Sequence, residues 1–234
     1  MRHWTLIPVF ILTSIAWLVF GAVMHKRTDD QHSQLKGKVH GLWGAPHTQT
    51  APIFERHWTT TKMVERIEKG DDGTPVHDHK GKPIKVMVEE TIPHRVTEAP
   101  MSTDLDVDLR LDLRRKGLLW FPLYDNDFNG TWTYRHTHKD ENLSLIWEFP
   151  VENAVYDNFR FVVDGTDVSS QATTVNGHVR FSMPVKTGQV VVLNVGYSSR
   201  GMSEWRYQPA HQVSRIPDFK LRMTTDFDAI DFPD

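Results

Sequence analysis

The chain begins with a long apolar stretch. No charged residue occurs between Trp4 and Met24, and apolar side chains would cover every side of a helix formed there. At roughly 1.5 Å per residue, the stretch is long enough to cross the roughly 30 Å hydrocarbon core of a bilayer. A cleaved signal peptide is disfavoured because only Arg2 precedes the apolar run and no Ala-x-Ala site follows it. The pattern predicts an uncleaved transmembrane helix, with residues 1–27 as the anchor.

Further along the chain, the hydrophobic pattern changes to a period of two. Leu105, Val107 and Leu109 alternate with Asp106 and Asp108, which is typical of a strand with one face in the core and one in water. Short β-prone runs then recur between turn signals. The predicted turns are Asn129-Gly130, Asp164-Gly165, Asn176-Gly177 and Lys186-Thr187-Gly188. Seven or more strands at this spacing predict a mainly β fold, an antiparallel β-sandwich.

Composition divides the chain into three segments. Residues 28–52 are polar and rich in Gly, His, Gln and Thr, which predicts a juxtamembrane linker. Residues 53–234 are expected to form the β-rich domain, within which Phe54 to Glu68 is ambiguous between strand and helix. Apolar residues continue to Phe232, so the protein is expected to continue beyond Asp234.

Charge and cysteine content exclude several classes of protein. The net charge is -3, and no basic run is long enough to bind a polyanion, so nucleic acid is not an expected partner. The chain has no cysteine, which rules out disulfides, zinc–thiolate sites and thiol nucleophiles.

The orientation of the anchor is ambiguous from charge. Lys26, Arg27, Lys36 and Lys38 follow the apolar stretch, whereas Arg2 precedes it. The positive-inside rule alone would therefore leave the domain in the cytoplasm. Because the rule is weak for long translocated domains, this conflict stays open on charge alone.

One pattern resembles half of a calcium-binding loop. In the run from Asp125 to Gly130, Asp125 and Asp127 supply alternating oxygen ligands before a glycine. The twelfth position is His136, so the bidentate glutamate of such loops is missing. A hairpin with its tip at Asn129-Gly130 is the favoured interpretation.

Histidine pairs suggest a second kind of metal site. His136 and His138 end a predicted strand, where residues two apart point to one face and could bind one metal ion. His77 and His79 form a similar pair in a predicted loop. Solvated histidines are the favoured interpretation of both pairs, and no cofactor is predicted.

Aromatic residues offer a third candidate site. Most of the rings between Trp120 and Trp147 are expected to fill the core of the sandwich. Trp205 and Tyr207 are the best candidates for an exposed platform that binds sugar or peptide. The aspartates from Asp104 to Asp112 are interpreted as the solvent-exposed face of a strand. Because no complete catalytic motif is present, a non-enzymatic protein is expected.

Several short runs resemble a family of bacterial inner-membrane proteins, the CreD-like cell-envelope integrity group. The resemblance is found mainly between Asp104 and Pro233. The runs are Arg115–Trp120, Asn129–Tyr134, Phe149-Pro150 with Tyr156–Phe159, Gly196–Gly201, Met223–Phe227 and Ile230–Pro233.

The resemblance implies one N-terminal span, a large extracytoplasmic β-rich domain and further C-terminal spans that this chain does not contain. It therefore favours a periplasmic domain over the cytoplasmic orientation suggested by charge. The segment from Phe149 to Gly201 also resembles the β-domain of the vault/inter-α-trypsin type. Both resemblances imply a binding or structural module, and neither carries over a catalytic residue.

Three functional hypotheses follow. The leading one is a non-enzymatic inner-membrane protein whose periplasmic β-sandwich supports envelope integrity or stress response by contacting another envelope component. The second is a membrane-tethered module that binds glycan or peptide through Trp205 and Tyr207. The third is a metal sensor or metal-dependent enzyme that uses Asp125, Asp127, His136 and His138. The lipid bilayer is an expected partner in the leading hypothesis.

Overall fold

The computed structural model describes residues 6–117, 119–152, 154–209 and 218–231. These residues form one helix followed by strands in two sheets. The predicted fold class, a mainly β sandwich preceded by a single N-terminal helix, is confirmed. Trp4, Leu118, Phe232 and Pro233, which contributed to the sequence interpretation, lie outside the described residues.

The secondary-structure elements follow in chain order from the helix to the last strand. They are α1 (Leu6–Trp43), β1 (Ala45–Thr50), β2 (Ile53–Ile67), β3 (Lys85–Glu98), β4 (Ser102–Lys116), β5 (Leu119–Arg135), β6 (Glu141–Glu148), β7 (Tyr156–Val163), β8 (Thr166–Asp167), β9 (Thr173–Val175), β10 (His178–Val185), β11 (Val190–Gln208) and β12 (Phe219–Thr225).

The larger sheet has seven strands in the order β12-β4-β5-β11-β7-β8, with β1 also paired to β11. The smaller sheet has five strands in the order β3-β2-β6-β10-β9. Most neighbouring strands are antiparallel, as predicted. The pairs β1–β11 and β4–β12 are parallel, which the hairpin-based prediction did not anticipate.

Aromatic rings fill the space between the sheets, as the sequence predicts. The ring centroids of Trp132 and Trp147, on opposite sheets, lie 5.2 Å apart. Phe128 stacks on Tyr197 at 5.0 Å. All four side chains are buried. Burial of each large apolar side chain contributes about 1.5–3 kcal/mol, so this cluster holds the two sheets together.

Three of the four predicted turns are confirmed. Asp164-Gly165 joins β7 to β8, and Asn176-Gly177 joins β9 to β10. All four of these residues have positive φ, as two-residue hairpin turns with the right twist require. Gly188, also with positive φ, ends the turn between β10 and β11.

The predicted turn at Asn129-Gly130 is wrong, because β5 passes through it without interruption. Gly130 pairs with Leu105 on one side and Val195 on the other. A Cβ atom at Gly130 would lie 2.2 Å from the Trp132 ring. The glycine is therefore required by the packing of an aromatic ring and not by a turn.

The segment expected to be a linker, 28–52, is regular in structure. No proline lies between Met24 and Trp43, so α1 continues through this polar sequence until Gly44, which has a φ of 138°. The following residues form β1, although they lack an apolar alternation. Backbone pairing with β11 supplies the hydrogen bonds of this strand.

The last strand of the core, β11, folds back on itself. Leu193, near its start, pairs with Trp132. Tyr207, near its end, also contacts Trp132: the tyrosine hydroxyl lies 3.3 Å from the indole nitrogen. Pairing with β5 stops at Met202, and Ser203 has a positive φ of 67°. The strand therefore reverses at Ser203, and its final residues pair with β1.

Candidate functional site

The hairpin of β2 and β3 projects beyond the sandwich. Strand β2 pairs with β6 only from Ile53 to His57. Further out, within the described residues, β2 and β3 pair only with each other. We call residues 58–94 the arm. Its paired part is about 30 Å long, at about 3.3 Å per residue. The segment that was ambiguous in sequence, Phe54 to Glu68, is a strand as far as Ile67 in the structure.

Aspartate side chains hold the far end of the arm in a defined conformation. Asp72 accepts a hydrogen bond from the Thr74 amide at 3.1 Å. Asp78 accepts from the amides of Lys80 and Lys82 at 2.8 and 2.9 Å. His77 and His79, the second histidine pair of the sequence, lie exposed in this region. These local bonds stabilise the tip without a hydrophobic core.

Apolar side chains are exposed on the arm. Met63 and Met87 are 54% and 60% exposed, and Ile67 lies on the same face. Salt bridges join the strands, with Arg66 2.8 Å from Glu90 and Lys85 3.1 Å from Glu65. Such exposed pairs contribute little stability. A protruding ribbon with exposed methionines is typical of a surface that packs against another molecule.

An ion cluster lies at the root of the arm. The Arg56 side chain is 7% exposed, and its guanidinium donates to Glu98 at 2.7 Å and to Glu141 at 2.8 Å. Burial by itself would lower the pKa of Arg56, but the hydrogen bonds to Glu141 and Glu98 outweigh it and raise the pKa. The Arg56 guanidinium therefore stays charged, and its hydrogen bonds tie β2, β3 and β6 together.

Stacked rings extend this cluster into the arm. The Arg56 guanidinium lies 4.9 Å from the centroid of the Trp58 ring. Trp58 stacks on His94 of β3 at 5.0 Å, and His94 hydrogen-bonds Thr60 at 2.7 Å. These contacts continue the inner face of the sandwich into the arm and fix the direction in which the arm leaves the domain.

The two histidines proposed as metal ligands differ in their surroundings. His136 was expected to be exposed but is buried. Its Nε2 lies 2.6 Å from the Lys139 carbonyl, and its Nδ1 lies 3.2 Å from the Tyr134 hydroxyl. Nε2 must donate to the carbonyl, so Nδ1 accepts from the tyrosine, and neither nitrogen is left for a metal. His138 is half exposed and lies 3.5 Å from Glu98.

The two aspartates of the supposed calcium loop lie on an extended strand. Asp125 accepts a hydrogen bond from Arg200 at 2.9 Å, and Asp127 pairs with Arg110. Because β5 is straight here, these carboxylates cannot curl around an ion. They are also at least about 30 Å along the strand from His136. The structure does not bring the four proposed metal ligands together.

Trp205 and Tyr207, the proposed ligand platform, pack against the core. The Trp205 ring lies 6.4 Å from Phe128, and the Tyr207 ring lies 5.6 Å from Phe219. Both side chains are partly buried. They face inward because β11 reverses at Ser203, which sequence periodicity does not reveal.

A buried polar cluster on β1 was missed by sequence reasoning because this segment was interpreted as a linker. The Tyr197 hydroxyl donates to Gln49 at 2.8 Å, and Gln49 donates to the Glu148 carbonyl at 3.2 Å. His47 is fully buried, and its ring nitrogens have no hydrogen-bond partner. Burial lowers the pKa of His47 to about 4, although the nearby Arg200 carbonyl opposes this shift.

In the described residues, no group of three or more His, Asp or Glu side chains is placed to hold a metal ion. The ionisable cluster at Arg56 has its charges paired. The arm is one of the exposed features of the described residues, and its apolar side chains and tip project from the domain.

Comparison with known proteins finds no matching family and no matching curated sequence. Among solved structures, the chain is similar to a candidate nutrient binding protein of Legionella pneumophila, at 14% identity and a TM-score of 0.29. The similarity spans 44% of this chain and 41% of that protein. A similarity of this size contributes nothing to the assignment of fold or function.

Proposed function

We propose that the chain is a non-enzymatic protein of the bacterial inner membrane whose periplasmic β-sandwich supports envelope integrity or stress response. In this proposal α1 anchors the domain, and the arm contacts another envelope component. The observation that carries the proposal is the arm, which extends about 30 Å past the sandwich with exposed methionines on one face.

The anchor supports the membrane part of the proposal. One helix in the described part of the chain is long and apolar enough to span a bilayer, with its apolar window at Phe10–Arg27. The side chains of Phe10, Trp17 and Leu18 on this helix are exposed. Inner-membrane placement and the periplasmic side rest on the CreD-like resemblance of the sequence.

The two alternative functions draw less support. The glycan- or peptide-binding hypothesis needs a free platform at Trp205 and Tyr207, which are partly buried against the core. The metal-dependent hypothesis needs His136, whose two ring nitrogens are already hydrogen-bonded.

The proposal is tested by placing charge on the arm. The double variant Met63→Glu/Met87→Glu is expressed as the full chain in host cells that lack their own copy. Burying a carboxylate in an apolar contact costs free energy, so the variant should lose the contact made by the arm. We therefore expect these cells to be as sensitive to detergent as cells without the protein. Protein abundance in the membrane fraction is measured in parallel.

The matched control is Val155→Glu/Val175→Glu, which makes the same chemical change at exposed apolar residues outside the arm. Control cells should resist detergent as the wild type does. The docking role is contradicted if the arm variant protects cells fully at normal abundance. The non-enzymatic role is contradicted if the purified chain hydrolyses a substrate and an Arg56 variant that remains folded loses that activity.

A further inference from the structure

We propose that the tip of the β4–β5 hairpin docks on anionic phospholipid headgroups of the same membrane that holds α1. The hairpin tip is defined as residues 111–116 of β4 and 119–122 of β5. This contact is separate from the proposed role of the arm and depends only on α1 as a membrane anchor.

The hairpin tip extends past the rest of its sheet. On one side, β12 pairs with β4 only as far as Leu109. On the other side, β11 pairs with β5 only as far as Leu123. Beyond these residues, in the part of the chain that the structure describes, β4 and β5 pair only with each other up to Lys116 and Leu119.

One face of the hairpin tip is apolar and exposed. Leu111, Leu113 and Trp120 continue the face of β4 and β5 that lines the core, but all three side chains are exposed. Leu113 is 55% exposed and Trp120 is 62% exposed. A large exposed ring beside exposed leucines is unusual on a surface that faces only water.

Positive charge borders this apolar face. Arg114, Arg115 and Lys116 are consecutive. Arg114 pairs with Asp112, the only acidic residue in the described part of the hairpin tip, which leaves an excess of positive charge. The Arg115 guanidinium lies 5.9 Å from the centroid of the Trp120 ring. Tryptophan beside basic residues suits the interface of a membrane with anionic lipids, where the ring lies at headgroup level. The charge therefore selects anionic headgroups as the occupant.

The hairpin tip lies at the end of the domain where α1 enters. Ala45, which follows α1, pairs with Gly201, and Gly201 pairs with Tyr124 beside the hairpin tip. Four residues later, Gln49 contacts Tyr197, which lies further from the tip along the sheet. Strand β1 therefore runs away from the hairpin tip, and α1 approaches from the side of the tip.

The lengths of the two elements match. The part of α1 after its apolar window, from Arg27 to Trp43, is about 24 Å long. From Leu111 to Gly117, the hairpin is about 20 Å long. With the helix axis along the hairpin, the tip falls within the headgroup layer, which is roughly 5–8 Å thick.

A fluorescent probe on a single cysteine tests the docking in the full chain. Because the chain has no cysteine, Leu113→Cys, Lys186→Cys and Leu18→Cys each give one labelled position. Each protein is labelled with an environment-sensitive dye and placed in nanodiscs of phosphatidylcholine, with or without phosphatidylglycerol. We expect a blue-shifted emission at Leu113→Cys with phosphatidylglycerol, and an aqueous emission at Lys186→Cys in both lipids.

Charge-removing variants complete the test. Arg115→Gln/Lys116→Gln should lower the ratio of docked to undocked hairpin roughly 30-fold, since each basic residue near an anionic surface adds to binding. The control, Lys80→Gln/Lys82→Gln on the arm, removes the same charge elsewhere and should leave the emission unchanged.

Three results would overturn the proposal. An aqueous emission at Leu113→Cys beside a membrane emission at Leu18→Cys rejects the docking but keeps the anchor. An aqueous emission at Leu18→Cys rejects the anchor and the docking together. A blue shift that is equal in both lipids and rises with protein density identifies a second copy of this chain as the occupant.

Discussion

Gly130 and Gly201 lie where aromatic rings cross the backbone of the larger sheet. Added Cβ atoms would lie 2.2 Å from the Trp132 ring and 2.3 Å from the Tyr124 ring. Neither glycine has a positive φ, so backbone strain is not the reason for glycine here. The residue is needed because the rings take the space of its side chain.

Replacing Gly130 by alanine should therefore destabilise the domain through overpacking. We expect Gly130→Ala to lower the free energy of unfolding by about 1–3 kcal/mol. Chemical denaturation of the full chain, followed by near-UV circular dichroism, measures this loss. In a Trp132→Leu background the cost should be smaller, because the clashing ring is gone. An equal cost in both backgrounds would reject ring packing as the cause.

His47 makes the stability of the domain depend on pH. Its pKa is about 4 in the folded protein and about 6.5 in the unfolded chain. The unfolded chain therefore binds an extra proton between these values, so stability is present above pH 6.5 and falls as pH falls toward 4. The pKa difference corresponds to about 3 kcal/mol.

The variant His47→Gln tests this pH effect, since glutamine does not titrate. Between pH 6.5 and 4, the wild type should lose about 3 kcal/mol more of its unfolding free energy than the variant does. Unfolding midpoints at several pH values give the comparison. Parallel pH profiles for the two proteins would show that His47 does not titrate on unfolding.

At the scale of elements, the arm is held by its root. Arg56 joins β2 to β3 through Glu98 and to β6 through Glu141; the side chains of Arg56 and Glu141 are largely buried, and that of Glu98 is partly buried. Removing the Arg56 guanidinium would leave the carboxylates of Glu98 and Glu141 near each other in a poorly solvated environment. The cluster is therefore worth more to the fold than the exposed pairs along the arm.

The matched variants Arg56→Met and Arg66→Met test this difference. Loss of Arg56 should cost about 3–5 kcal/mol because it leaves buried charge unpaired. Loss of Arg66, whose side chain is 60% exposed in its pair with Glu90, should cost at most about 1 kcal/mol. Chemical denaturation of both variants measures the costs. Similar costs for the two would contradict a structural role of the cluster.

The sequence predicts most of the strands, but it does not predict that β2 and β3 extend past the sandwich as an arm. The alternation from Leu105 to Leu109 and the turns at Asp164-Gly165 and Asn176-Gly177 depend on local chemistry, so they are predictable. The arm has few buried residues, so the hydrophobic pattern of β2 and β3 does not show that the two strands extend beyond the sandwich. The turn predicted at Asn129-Gly130 was wrong because glycine is favoured both in turns and beneath a packed ring.

At the scale of the whole molecule, the positions of the candidate residues depended on long-range contacts. Trp205 and Tyr207 turn inward because β11 reverses, and Asp125 and Asp127 are extended because β4 and β11 flank them. The apolar N-terminal helix and the sandwich were predictable because helix hydrophobicity and strand alternation are local signals. The burial of His47 follows from the parallel pairing of β1 with β11, which has no signal in composition.

We propose that the sandwich lies outside the cytoplasmic membrane on a helical stalk. The most direct test is thiol labelling of the full-length Lys186→Cys variant, because the chain has no other cysteine. We expect a membrane-impermeant maleimide to label this position in intact spheroplasts as fully as in lysed ones. Labelling that occurs only after lysis would place the domain in the cytoplasm and contradict the account.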